Sequence, residues 1–266
     1  MDCQILADEA TRIVVAAEAR GVTMRAVGSV GIRLHCAAVA AYLDRFGRQP
    51  KDIDLVMPKA GRKVMRGLLE ADGYRCDRDL LVATEGRRYK FTHPDTCIDI
   101  DVFVGRLEFC HVIEVRKRLR EHPLTLPIEE LLLSKLQIIE PTTTDLWDCA
   151  ATLLSHPVLT GTTGSATRPA TGPATGPDNL SASLVAGVLA RDWGFHHTVS
   201  RNLERLSSQD AVLDIGDGER TRLTGAVSAL RETIDATPKS VTWRLRAQIG
   251  ERARWWQDID ERETTY

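Results

Sequence analysis

The sequence predicts an α/β segment followed by a helical one, and three observations carry this. Short apolar strands alternate with helical stretches up to residue 156. Composition then turns to Gly, Thr, Ala and Pro in "TGTTGSATRPATGPATGP" (160–177), which has too little apolar surface to order itself. Beyond it, the remaining long stretches have helical spacing. The expected organisation is an α/β domain over 1–156, a flexible linker or loop over 157–178, and a helical domain over 179–266.

Taken in order, "ILADEATRIVVAAEA" (5–19) has helical apolar spacing, with Gly21 as its stop signal. "MRAVG" (24–28) reads as a short strand, and "SVGIRLHCAAVAAYLDRF" (29–46) as one helix with Ser29 as a good N-cap. "IDLVM" is a strand, and Pro58 opens a helix that Gly73 ends. Strands are expected around 75–83, at "RRYKFTH" (87–93) and at "CIDIDVFVG" (97–105), with a weaker one at "CHVIEV" (110–115). Helices follow at 127–140 and 143–156, then at 180–206, 217–236 and 239–260.

The chain has 266 residues, 43% of them apolar, enough for one large domain or two small ones. A formal charge of −2 excludes a globally basic nucleic-acid binder, though not a local basic patch. The six cysteines are scattered without a CxxC pair, as in a reduced chain, and no apolar run is long enough to cross a bilayer. A cytoplasmic protein without membrane association is expected; the oligomeric state is not fixed by sequence.

The residues that ask for a function are acids on apolar strands. "KDIDLVM" (51–57) carries Asp52 and Asp54, and "CIDIDVF" (97–103) carries Asp99 and Asp101. Residues i and i+2 of a strand share a face, so each pair projects together while Ile53 and Ile100 turn into packing. If the strands are neighbours, their acids form one patch, and crowded carboxylates repel. A divalent cation relieves this, with Mg²⁺ suited to sites that also bind phosphates. The alternative is a solvent-facing edge strand. Upstream, "RAVGSVGIRLH" (25–35) is a strand, a Gly-Ser turn and a helix, whose N-terminus suits a phosphate. Gly28 would permit close backbone approach and Ser29 would add a hydroxyl, or Ser29 simply caps the helix. The turn is neither a dinucleotide fingerprint nor a P-loop.

Val27, Gly28 and Ser29, then Asp52, Ile53, Asp54 and Leu55, then the strand 97–104, together resemble the DNA polymerase β-like nucleotidyltransferase superfamily. The spacer 30–51 is longer than the family's usual one, and a longer helix with the loop "GRQP" would absorb it. The resemblance covers roughly 20–156 and implies an α/β (α+β) core with a mixed central sheet, followed by a helical C-terminal domain. It implies that Gly28 and Ser29 hold a nucleoside triphosphate. It also implies that Asp52, Asp54 and a third acid bind metal, normally two Mg²⁺ ions. Asp101 is the choice for the third acid, with Asp99 in support.

"KLQIIEPTTTDLWD" (135–148) is similar to the Lys-x6-Arg-x-Lys-Asp-x-x-Asp motif of AbiEii-type toxin nucleotidyltransferases. Lys135, Asp145 and Asp148 fall in register, whereas Thr142 and Thr144 replace the Arg and the inner Lys, removing two positive charges. Lys135 and Asp148 are implied nucleotide-binding residues; on their own, Lys135 could be a snorkelling surface lysine and Asp145 a helix cap.

Other features read as structural. Cys97, Cys110, His93 and His111 have irregular spacing for zinc. "FHH" (195–197) reads as surface or partly buried, and the tryptophans and arginines of 243–256 as an aromatic edge beside a solvated basic face. "VRKRLREH" (115–122) is the densest basic run, either phosphate-facing or a soluble surface. The expected activity is transfer of a nucleoside monophosphate from a triphosphate to an acceptor hydroxyl of a small molecule, RNA or protein. The alternative is an inactive nucleotidyltransferase-fold module that binds a nucleotide or partner.

Overall fold

The computed structural model describes residues 3–161, 178–208 and 213–257. Its chain contacts divide into two units. One holds the residues through Leu107 together with Ile113–Pro127; the other holds Glu108–Val112 and the described residues from Ile128 onward. The division falls at Pro127 and Ile128 rather than after 156, because the two helices that follow pack on the helices of the second unit.

The first unit opens with α1 (Cys3–Glu18), whose Leu6, Ala10, Ile13, Val14 and Ala17 line one buried stripe. Gly21, at φ +76°, turns the chain into β1 (Arg25–Val27). Then come α2 (Gly28–His35), α3 (Ala37–Arg45), β2 (Ile53–Met57) and a 3₁₀ turn (Lys59–Gly61). α4 (Arg62–Ala71), β3 (Arg75–Cys76), α5 (Arg78–Ala83), β4 (Arg88–Thr92) and β5 (Asp99–Val104) follow.

The five strands form one sheet in the order β1-β2-β5-β4-β3. β2 and β5 run parallel and the other pairs antiparallel, so the sheet is mixed. Ile53, Leu55, Met57, Ile100, Val102 and Val104 join the α1 and α4 side chains in one apolar cluster. Alternation therefore sends Asp54 and Asp101 to the opposite face. The outer edge of β1 is covered by residues 124–126: Ala26 N–H donates to Leu124 O at 2.8 Å, and Leu126 N–H to Ala26 O at 3.1 Å.

Several elements differ from the sequence expectation. The helix expected over 29–46 breaks at Cys36, which is extended (φ −156°, ψ 155°); His35 Nδ1 lies 2.8 Å from Thr125 Oγ1 and fixes the end of α2 by a tertiary contact. Ser29 is not an N-cap: α2 begins at Gly28, and Val27 at the cap position makes no side-chain bond. The strand expected over 75–83 is two residues of β3 followed by α5. Asp77 accepts from the amides of Asp79 and Leu80, a cap that turns "RDLLVA" helical. The weak strand at 110–115 reduces to β7 (Val112–Ile113), paired with β6 (Leu107–Glu108).

The second unit contains α6 (Ile128–Leu136), α7 (Thr143–Ser155), β8 (Val158–Leu159), β9 (Leu180–Ser181) and α8 (Ala182–Leu189). α9 (Trp193–Ser207), α10 (Asp217–Ala236) and α11 (Val241–Ile249) complete it. β8 and β9 pair in parallel, so a strand stands where the linker was expected to start; residues 162–177 of that linker lie outside the described residues. The helix expected over 180–206 is divided by Asp192, whose carboxylate caps α9 at Phe195 N–H.

Candidate active site

The site is assembled where β1 turns into α2. Val27 is the register partner of Asp54, and Gly28 follows at φ +65°, in the left-handed region. A Cβ on Gly28 would lie 2.0 Å from Asp54 Oδ2 and 2.9 Å from its Cγ. Glycine is therefore required twice, for its backbone angle and for the carboxylate resting against the turn. Gly28 and Ser29 are buried, while Asp52 and Asp54 are half-buried.

Asp54 and Asp101 are register partners across the parallel pair. The strands are thus neighbours, with their acids on one face. Asp101 is only 4% exposed, and Arg88 Nε donates to its Oδ1 at 3.0 Å. The Arg88 guanidinium carbon lies 5.3 Å over the Phe103 ring. Asp99 has other partners: Thr92 Oγ1 donates to it at 2.5 Å, and Lys90 Nζ lies 3.5 Å away. Asp52 precedes the first residue of β2, so the sheet fixes Asp54 but not Asp52.

Among the described residues, no three His, Cys, Asp or Glu side chains come together as a metal-holding group. The three-carboxylate cluster expected at Asp52, Asp54 and Asp101 is not assembled. Cations of β4 lie against the acids of β5, with Arg88 against Asp101 and Lys90 against Asp99. What remains is a smaller set, Asp54 and Asp101 side by side. Magnesium is commonly held by one or two carboxylates, so these two residues are the candidate ligands for a single ion.

Sequence reading missed Arg88. The signal was present: Arg88 and Lys90 stand at i and i+2 in "RRYKFT", a basic face on a strand, as legible as the acidic ones.

In the second unit, Lys135 bonds the two acids of its own motif. Its Nζ lies 3.0 Å from Asp145 Oδ1 and 3.0 Å from Asp148 Oδ2, whose side chain is 0% exposed. Asp145 also completes a capping box with Thr142 at the start of α7. Burial works against its charge, but Lys135 and the Thr142 bonds hold its carboxyl below the usual range. Lys135 and Asp148, expected to bind a nucleotide, are thus held in an interior ion-paired group.

The other candidates also have internal partners. His111 Nε2 lies 2.8 Å from Thr198 Oγ1, its ring stacks on Phe195, and burial pushes its pKa down to about 4. Arg246 stacks over Trp193 and Arg254 over Trp256, each at 4.8 Å. A hollow of about 600 Å³ is lined by Glu9, Arg12, Asp72, Tyr74 and His93 among others. There Glu9 accepts from Arg12 and Tyr74, and Arg12 pairs with Asp72. Among the described residues, no helix is long and apolar enough to cross a membrane.

No protein-family model matches the chain, and no curated protein matches it. Among solved structures it is similar to an antigenic nucleotidyltransferase-like protein from Paracoccidioides brasiliensis. The two are 14% identical with a TM-score of 0.41, over 89% of this chain and 95% of that one.

Proposed function

We propose that the chain is a nucleotidyltransferase, moving a nucleoside monophosphate from a nucleoside triphosphate to an acceptor hydroxyl. The observation that carries this reading is the Asp54 carboxylate resting on the Gly28 turn, in register with Asp101 on the adjoining parallel strand. The triphosphate would lie over the first turn of α2, where backbone N–H groups and the positive end of the helix dipole favour an anion. Ser29 adds a hydroxyl there. Asp54 and Asp101 would hold magnesium, with Asp52 at the exposed side. A bound ion supplies neutralisation of the triphosphate and of the departing pyrophosphate. The rest is positioning and fixed charge. The acceptor oxygen stands in line with the α-phosphorus, the new O–P bond forms as the bond to pyrophosphate breaks, and the hydroxyl proton leaves to solvent. Lys135 and Asp148 have no part in this reading, because they bond each other.

A second reading is favoured by one observation. Arg88 already compensates Asp101, and a turn that binds a nucleotide without transferring it needs no more than that. Calorimetric titration with each triphosphate and Mg²⁺, alongside pyrophosphate release in the presence of small-molecule, RNA and protein acceptors, separates the two. Binding with release is expected. Binding without release under every acceptor leaves the module, and no binding at all removes both.

A further inference from the structure

We propose that Arg88 is the positioning residue of this centre: it fixes the Asp101 carboxylate before any cation arrives and sets how strongly a cation is held. This rests on the reading of Asp54 and Asp101 as the reacting centre. Two carboxylates in register on neighbouring strands, one of them buried, repel each other and would swing apart. Arg88 prevents this. Its Nε donates to Asp101 Oδ1 at 3.0 Å with both side chains largely enclosed, 14% and 6% exposed.

Arg88 is itself held in place. Its guanidinium lies over the ring of Phe103, its own register partner on β5. Its backbone is clamped by Thr84, whose hydroxyl donates to Arg88 O at 3.0 Å and accepts from Arg88 N–H at 3.2 Å. Specificity within the face supports the assignment. Lys90 is the register partner of Asp101, yet its amine goes to Asp99, and that pair is more than a third exposed on each side. The planar fork on a rigid base thus sits on the buried acid and the flexible ammonium on the exposed one.

A fixed positive charge beside a cation ligand has two opposed effects. It orients the carboxylate, which favours turnover, and it repels the cation, which weakens metal binding. Their separation gives a signature that a merely structural role would not produce. In Arg88→Met, Mn²⁺ titrated into the protein without nucleotide is expected to bind about tenfold more tightly, because the repelling charge is gone. At the same time kcat for transfer falls about 10- to 100-fold, the usual loss when a ligand's orienting partner is removed, while KM for the triphosphate changes little. Arg88→Lys restores the wild-type Mn²⁺ affinity and only part of kcat, and Lys90→Met changes neither. Circular dichroism checks that each variant folds; if Arg88→Met does not, the Lys variant carries the test through its split between affinity and kcat. Equal Mn²⁺ affinity and equal kcat in wild type and Arg88→Met overturn the role of Arg88 and leave the transferase reading standing. If the wild type transfers nothing, the transferase reading fails, and the Mn²⁺ titration alone decides: equal binding, or none in either protein, overturns the proposal.

Discussion

Gly28 does more for the site than its missing side chain suggests. Its positive φ and the Asp54 oxygen 2.0 Å from where a Cβ would stand are separate demands on one position. Gly21 has a similar angle, φ +76°, but open space around it. Gly28→Ala should therefore cost at least about 2 kcal/mol in urea unfolding, and Gly21→Ala about 1 kcal/mol, the backbone cost alone. Equal losses would mean that Asp54 does not press on the turn. Lys135 is a second residue-scale case. Lys135→Met would remove the cation that pairs with Asp145 and Asp148 inside the second unit, at a cost of about 3–5 kcal/mol. A loss within a few tenths of wild type would argue for an exposed, nucleotide-facing lysine after all. The placement of Gly28 at a strand-to-helix turn and of Asp54 and Asp101 on strands was legible in the sequence, because period-two alternation and a strand–turn–helix step are local. Which acid meets which base depends on strand neighbours, so the Arg88 pairing with Asp101 was out of reach until β4 was placed beside β5.

At the scale of elements, tertiary and capping bonds decide where local pattern fails. "RDLLVA" is apolar enough for a strand, and the Asp77 carboxylate makes it α5 instead. Residues 29–46 have continuous helical character, and the His35 contact with Thr125 ends α2 early. Charge joins elements as well. Glu9 of α1 takes bonds from Arg12 and from Tyr74 at the approach to β3, and Arg12 reaches Asp72 just past α4. Arg12 holds the Glu9 carboxyl below the usual range against the opposing effect of burial. A carboxyl lowered on folding contributes stability that is complete above its unfolded pKa and is lost as pH falls through its folded one. The stability gap between wild type and Glu9→Gln, read from urea midpoints, should be widest at neutral pH and narrow toward pH 3. A gap independent of pH would contradict the assignment.

For the whole molecule, the sequence supports a mixed α/β sheet with helical elements to follow, and that order is what the chain adopts. The contacts divide the chain ahead of "PIEELLLSKLQIIE", a helix that reads equally well from sequence as the last of one unit or the first of the next. This helix is buried nearly all round, with Leu131, Leu132, Leu133 and Leu136 enclosed, and it packs with α7, α8 and α9. The central claim is that Asp54 and Asp101, set on the Gly28 turn, form a transfer centre, whereas Asp99, one step along the same face, does not. Transfer of α-labelled nucleoside monophosphate with Mg²⁺, compared across wild type, Asp54→Asn and Asp99→Asn, tests it most directly. Label transfer by wild type, a loss of at least about a hundredfold in Asp54→Asn, and Asp99→Asn within a few-fold of wild type are expected. Undiminished transfer by Asp54→Asn would contradict the account.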